Sequence, residues 1–303
     1  MIDFKKFEPG QRVHFLPYLA HAAHRGCAYG YSNLCLWGRQ QGAIVDGHLV
    51  VFSHYSGHSM YPFPMGSGNV RPVIDAIIHD AKMRGIPFRL AGLTQTEMDL
   101  LEALYPGRFR FHCNRDSYDY VYAIDDLADL KGRKYQQKRN HIHRFEDACP
   151  DWSLRPFSDE VLEECRSFTG EWYRRRAEEN PHEDIKMEQA ALNRAYRYWK
   201  ELGMEGLVLY SGGEPVAMTL ASFLSSDTMD VHFEKARTDI PGAYAFINRA
   251  FARHIREKYP HVAWLNREDD TGSEGLRKAK LSYHPHHLVE KCWALLTEEE
   301  YDE

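Results

Sequence analysis

A chain of 303 residues with 43% hydrophobic and 27% charged side chains is long enough for two domains and has a globular rather than a disordered composition. No run of 18 apolar residues occurs and the opening MIDFKKFEPGQRVHF lacks an apolar signal-peptide stretch, so a soluble, cytoplasmic protein without membrane insertion is expected. The net charge of -6 argues against a protein that coats nucleic acid over its whole surface, and six cysteines without CxxC spacing lead us to expect reduced thiols and no disulfide.

In chain order, Gln11 to His24 reads as a helix. Short strands follow around Ala43 to Val45, Leu49 to His54 and Ser59 to Phe63, with Asp46-Gly47 and Gly57 as turns. Val70, Val73, Ile74, Ile77, Ile78 and Ala81 recur at helical spacing, and Gly85 with Pro87 ends that helix. A strand near Phe88 to Ala91, a helix from Thr94 to Leu104 and strands at Phe109 to Cys113 and Tyr118 to Ala123 complete the first half. The histidines at 54, 58, 284, 286 and 287 lack the Cys or carboxylate spacing of a zinc motif, so no metal site is expected.

Lys131 to Arg144, KGRKYQQKRNHIHR, holds six cations and no acid. Tyr135, Ile142 and Phe145 can anchor it with Lys134, Lys138 and Arg139 outward for donor phosphates, or the segment can be a solvated helix connecting two domains. Beyond it, helices around Asp159 to Arg176 and Lys186 to Leu202 precede strands Gly206 to Tyr210, Pro215 to Phe223 and Thr228 to Lys235. A helix through Tyr244, Ile247, Phe251 and Ile255, a strand at Val262 to Leu265, a helix from Ser273 and a last strand at His287 to Leu295 follow. Each half thus reads as helix, antiparallel strands, helix, strand, helix, strand: a mixed αβ fold in two domains, 1–130 and 150–303, joined by 131–149.

Polar groups crowd WLNREDDTGSEGLRKAKLSYHP, Trp264 to Pro285, where that buried strand runs into a helix. Alternation puts Asn266 and Glu268 on one face and Arg267 and Asp269 on the other, and Thr271 with Glu274 has capping-box spacing. An ordinary polar loop is the alternative to a site here.

The doubled order resembles tandem GNAT acyltransferase-like domains. YSNLCLW (Tyr31 to Trp37), KGRKYQQKRNHIHRF (Lys131 to Phe145) and NREDDTGSEGLRKAKLSYHP (Asn266 to Pro285) resemble the signature segments of a bacterial family grouped with the phosphatidylglycerol lysyltransferase C-terminal domain. The resemblance implies a soluble acyl- or aminoacyltransferase with an acyl-CoA or aminoacyl-tRNA donor, a small-molecule or peptide amine or a hydroxyl as acceptor, and no tightly bound cofactor. A non-catalytic module binding an acylated or phosphorylated ligand is the alternative. One glycine stands in Arg237 to Ala243, RTDIPGA, where acetyl-CoA-binding GNAT domains carry a glycine-rich pyrophosphate loop, which weakens coenzyme A as donor.

Acyl transfer to an amine needs a base, an oxyanion donor and a proton source. Glu234, on VHFEKA, is expected opposite Val231 and Phe233 and facing the cleft as base, or paired with Arg277 or Lys280. Glu268 and Asp269 are further bases, Asn266 a carbonyl donor and Tyr283 a proton source; Arg237, Arg277 and Lys280 would take donor phosphate. Glu234, Asn266, Glu268 and Arg277 are expected around one pocket.

Overall fold

The computed structural model describes residues 1–22, 24, 26–55, 57–180 and 185–297. Along the first half run β1 (Lys5–Lys6), α1 (Arg12–Leu19), α2 (Tyr31–Leu36), β2 (Gln40–Val45), β3 (His48–Tyr55), β4 (His58–Pro62), β5 (Met65–Gly66), α3 (Arg71–Arg84), β6 (Arg89–Leu93), α4 (Gln95–Leu104), β7 (Phe109–Cys113) and β8 (Asp119–Ala123). Next come α5 (Ile124–Asp129), α6 (Gln136–Ala148), β9 (Ser153–Pro156), α7 (Leu162–Glu179), α8 (Lys186–Tyr198), β10 (Glu205–Ser211), β11 (Glu214–Phe223) and β12 (Thr228–Ala236). The chain closes with α9 (Ala243–Lys258), β13 (Trp264–Asn266), α10 (Glu274–Leu281), β14 (His287–Val289) and β15 (Cys292–Leu296).

Most expected elements are present within a few residues. Gly85 ends α3 at φ 66, donating its N–H to the carbonyls of Ala81 and Lys82, and Thr94 with Glu97 forms a capping box on α4. The first helix stops at Leu19, short of the expected His24; Ala23 within that span lies outside the described residues. Thr271 does not start a regular helix turn: it sits at φ 48, and α10 begins at Glu274.

Among the described residues the strands form two mixed sheets, β1-β2-β3-β4-β6-β15-β7 with β5 beside β3, and β14-β8-β13-β12-β11-β10-β9. Each sheet contains one strand from the other half of the sequence. The expected segments 1–130, 131–149 and 150–303 therefore differ from the compact units, which comprise Met1–Asp119, Asp269–Ser273 and the chain from Leu288, and Tyr120–Glu268 with Glu274–His287. Burial explains where β8 goes: four of its five residues are buried, and a strand covered on both faces belongs inside a sheet.

In the first unit, Val73, Ile74, Ile77 and Ala81 of α3 pack with Leu90, Leu93, Leu101 and Phe109. β15 lies between β6 and β7, with Cys292 opposite Cys113, and these two form a disulfide across Cα atoms 4.3 Å apart. This corrects the expectation of reduced thiols. The partners are 179 residues apart, a pairing that spacing does not reveal.

In the second unit the basic segment is helix α6, anchored as expected by buried Tyr135, Ile142 and Phe145. It is part of the unit rather than a solvated connection: Phe145 packs on Phe246 of α9 at 4.7 Å. Gly242, before α9, lies at φ 82, and a Cβ there would be 1.9 Å from the His141 carbonyl oxygen of α6. Gly242→Ala is expected to destabilise the fold by on the order of 2 kcal/mol, since left-handed strain and overlap add. Denaturant titration checks this; an unchanged midpoint would show that α6 yields freely at this contact.

A candidate active site at the fork of the second sheet

β12 and β13 run parallel over three pairs, Thr228 with Trp264, Met229 with Leu265 and Asp230 with Asn266, before their hydrogen bonding ends. β13 is held on its other side by β8, and beyond it Arg267 donates its N–H to the Tyr120 carbonyl at 2.9 Å. The polar residues around this fork divide between the two faces of the sheet.

Register explains the division. Glu234 pairs with Thr219 and Asp230 with Ser222, and residues three apart on β11 face opposite ways. Leu220 pairs with Phe233 but Ala221 with Val231, so His232 is the extra residue of a bulge and reverses the alternation along β12. Val231 thus shares the face of Glu234, contrary to expectation.

On that face, Glu234 Oε1 accepts from Arg267 Nη2 at 2.8 Å, while Oε2 accepts from Asn248 Nδ2 of α9 at 3.2 Å and Thr219 Oγ1 at 3.4 Å. Glu234 is 10% exposed and Arg267 13%. The Arg267 guanidinium lies 5.0 Å from the Tyr283 ring and 5.7 Å from that of Tyr122, and Lys138 Nζ sits 3.8 Å above Tyr283. Burial, then the Arg267 charge, push the Lys138 ammonium down to about 8, against the pull of Glu234. Burial pushes the phenols of Tyr283 and Tyr122 up, so both remain protonated donors.

On the opposite face, Glu268 Oε1 is 3.1 Å from His232 Nδ1, and His232 Nε2 is 2.8 Å from Ser222 Oγ. Asn266, at the end of β13, accepts the Glu268 N–H on Oδ1 at 2.7 Å. Glu234 and Glu268 therefore do not share one pocket. The other expected residues have separate surroundings. Lys280 is buried and its Nζ donates to the carbonyls of Arg267 at 2.5 Å and Glu268 at 3.2 Å, which ties down the loop instead of leaving a cation for phosphate. Arg139 is likewise engaged by the carbonyls of Leu130 and Gly132 and by Gln136. Lys134 is half-exposed, 3.4 Å from Asp126, and Arg277 lies half-buried on α10. Asp269 belongs to the first unit, 3.6 Å from Lys291. Arg237 pairs with Asp239 at 2.5 Å on the wall of a cavity of about 630 Å³ that also touches Phe168, Trp172 and Pro215. None of the Glu234 cluster lines that cavity.

Sequence reasoning missed Asn248, Tyr122, His232, Ser222 and the role of Arg267. Two left a signal: Asn248 is polar among the buried Ile247, Phe251, Ala252 and Ile255 of α9, and His232 is polar in a strand otherwise largely buried.

In the first unit the corresponding fork, where β4 pairs parallel with β6, is filled by a neutral side chain. The Tyr29 hydroxyl accepts from Phe63 N–H at 3.0 Å and lies 3.2 Å from the Ala91 carbonyl oxygen, and a Cβ on Gly92 would come within 2.4 Å of it.

The model of the phosphatidylglycerol lysyltransferase C-terminal family matches residues 19–295. The chain belongs to that family. A conserved protein of unknown function from Bacteroides thetaiotaomicron is 37% identical, with TM-score 0.92 over 98% of this chain and 100% of that one. L-PGS from Bacillus licheniformis is 16% identical, with TM-score 0.70 over 99% and 96%. A tandem GNAT protein from the clavulanic acid biosynthesis pathway, 9% identical with TM-score 0.50 over 98% and 99%, shares the fold, which is GNAT-like and tandem. The chain spans 62% of the length of the curated relative it matches. No described helix of this family member is long and apolar enough to cross a membrane.

Proposed function

We infer that the second unit transfers an aminoacyl group from a tRNA ester to an amine or hydroxyl acceptor. The carrying observation is the single cluster of Lys138, Tyr283, Arg267 and Glu234 at the fork, which puts an amine, a phenol, a guanidinium and a carboxylate within reach of one another. Lys138, neutral above about pH 8, takes the proton of the attacking group. The new bond to the acyl carbon forms as the carbonyl becomes an oxyanion. The ester C–O bond then breaks, and Lys138 or Tyr283 returns a proton to the leaving oxygen. Glu234 holds Arg267 in place rather than acting as the base, as three hydrogen bonds already orient its carboxylate.

Family membership and the GNAT-like fold support transfer chemistry, and α6 favours tRNA over coenzyme A as the donor. The turn at Gly242, where acetyl-CoA-binding GNAT domains seat the pyrophosphate, has the His141 carbonyl of α6 packed against it. Exposed Arg133, just before α6, and exposed Arg144, within it, offer cations to a polyanion.

The chain would be incubated with charged tRNA or acetyl-CoA and, in parallel, phosphatidylglycerol vesicles, short peptides or amino acids. Protein-dependent consumption of aminoacyl ester with a new aminoacylated product is expected, and acetyl-CoA should remain intact. If neither donor is consumed above the blank, transfer is refuted and ligand binding without turnover takes its place.

A further inference from the structure

In the first unit one face of β6, β15 and β7 is not built into the core. Across these strands Ala91, Trp293 and His112 lie abreast, and so do Arg89, Leu295 and Arg110 in the next row of that face. The intervening Leu90, Ala294 and Phe109 point the other way, into the core that α3 and α4 cover. None of the six is buried, and Arg110 and His112 are exposed. The Trp293 and His112 rings stack 4.3 Å apart at 20°. On the other side of the indole its cross-strand neighbour is Ala91, whose methyl leaves that ring face open to a further ring. Neither Arg89 nor Arg110 is engaged by a carboxylate among the described residues, and the three strands carry no acid in a chain of net charge -6.

An aromatic stack beside two cations on one sheet face suits a ligand that alternates flat rings with negative charge. We propose that this face binds an unpaired stretch of RNA, with a base stacked on Trp293 and the neighbouring phosphates met by Arg89 and Arg110 on either side of Leu295. A bare polyanion would use the arginines and not the indole, and a flat apolar ligand the indole and not the arginines. Guanidinium groups serve both parts of a nucleotide, since they pair with phosphate and lie against rings. In a duplex the base faces are already stacked on one another, so the indole selects a single strand. The choice of RNA rests on the transfer reading above, in which the donor is a tRNA; the stacking surface itself is independent of that reading.

The test measures binding of the full chain to a dye-labelled single-stranded RNA oligonucleotide, to an abasic ribose-phosphate strand of the same length and to the matching duplex, by fluorescence anisotropy over a series of salt concentrations. Wild type should favour the RNA strand over both others by about tenfold or more, because base stacking on an aromatic ring is lost with either. Trp293→Ala, checked for an unchanged thermal transition, should bind the RNA and abasic strands alike, and Trp293→Phe should keep most of the preference. Arg89→Gln combined with Arg110→Gln should weaken binding and flatten its logarithmic salt dependence by roughly 0.7 for each cation removed. An RNA strand bound no better than the abasic one, a preference that survives in folded Trp293→Ala, or an unchanged salt slope in the arginine variant would each overturn the proposal. The abasic comparison and the arginine variant decide even if Trp293→Ala does not fold. A chain that transfers aminoacyl groups but binds the RNA and abasic strands alike keeps the transfer function and loses this inference. One that prefers the RNA strand but transfers nothing does the reverse.

Discussion

Glu234→Gln is expected to lower the stability of the chain by about 3–5 kcal/mol, because it leaves the Arg267 guanidinium buried without its counter-charge. The pair is 2.8 Å apart with both side chains largely enclosed, and among the described residues no second carboxylate is hydrogen-bonded to Arg267 in its place. Glutamine keeps the shape and one acceptor, so the loss reports the charge rather than a cavity. Denaturant titration at pH 7 measures it. Glu234→Gln combined with Arg267→Met should recover part of the loss, since removing both charges removes the burial penalty as well. A loss below about 1 kcal/mol would mean that the pair behaves like an exposed one, and its place at the centre of the site would fall.

Lys138→Gln is expected to slow aminoacyl transfer by about 10²–10⁴-fold, the usual contribution of a positioned proton acceptor. The wild-type rate should rise with pH and level off above about 8, since only the neutral amine accepts a proton and burial beside Arg267 brings that form into range. Lys138→Arg should lose the rate too, because a guanidinium stays charged. Stability has the same direction. The folded ammonium lets go of its proton near 8 and the unfolded one near 10.5, so the unfolded chain binds more protons between those values and the fold gains stability as pH rises through that window. A rate that is flat from pH 6 to 9, or a Lys138→Gln enzyme of wild-type speed, would remove Lys138 from the reaction.

The order of elements was legible in the sequence because its signals are local. The 3.6-residue recurrence from Val70 to Ala81 became α3, Gly85 ended it in a left-handed turn, and Tyr135, Ile142 and Phe145 anchored α6 as their spacing implied. Family membership was equally legible, since its segments are contiguous words such as Asn266 to Pro285. The tertiary structure decided the rest. β8 and β15 settle beside strands more than 100 residues away, and Cys113 meets Cys292, because such pairing is set by what each strand buries and has no local pattern. The bulge at His232 shows the same limit at the scale of one residue. Side-chain direction follows a period of two only along an unbroken strand, so one extra residue set Glu234 on the face opposite Glu268 and paired it with Arg267 instead of Arg277 or Lys280.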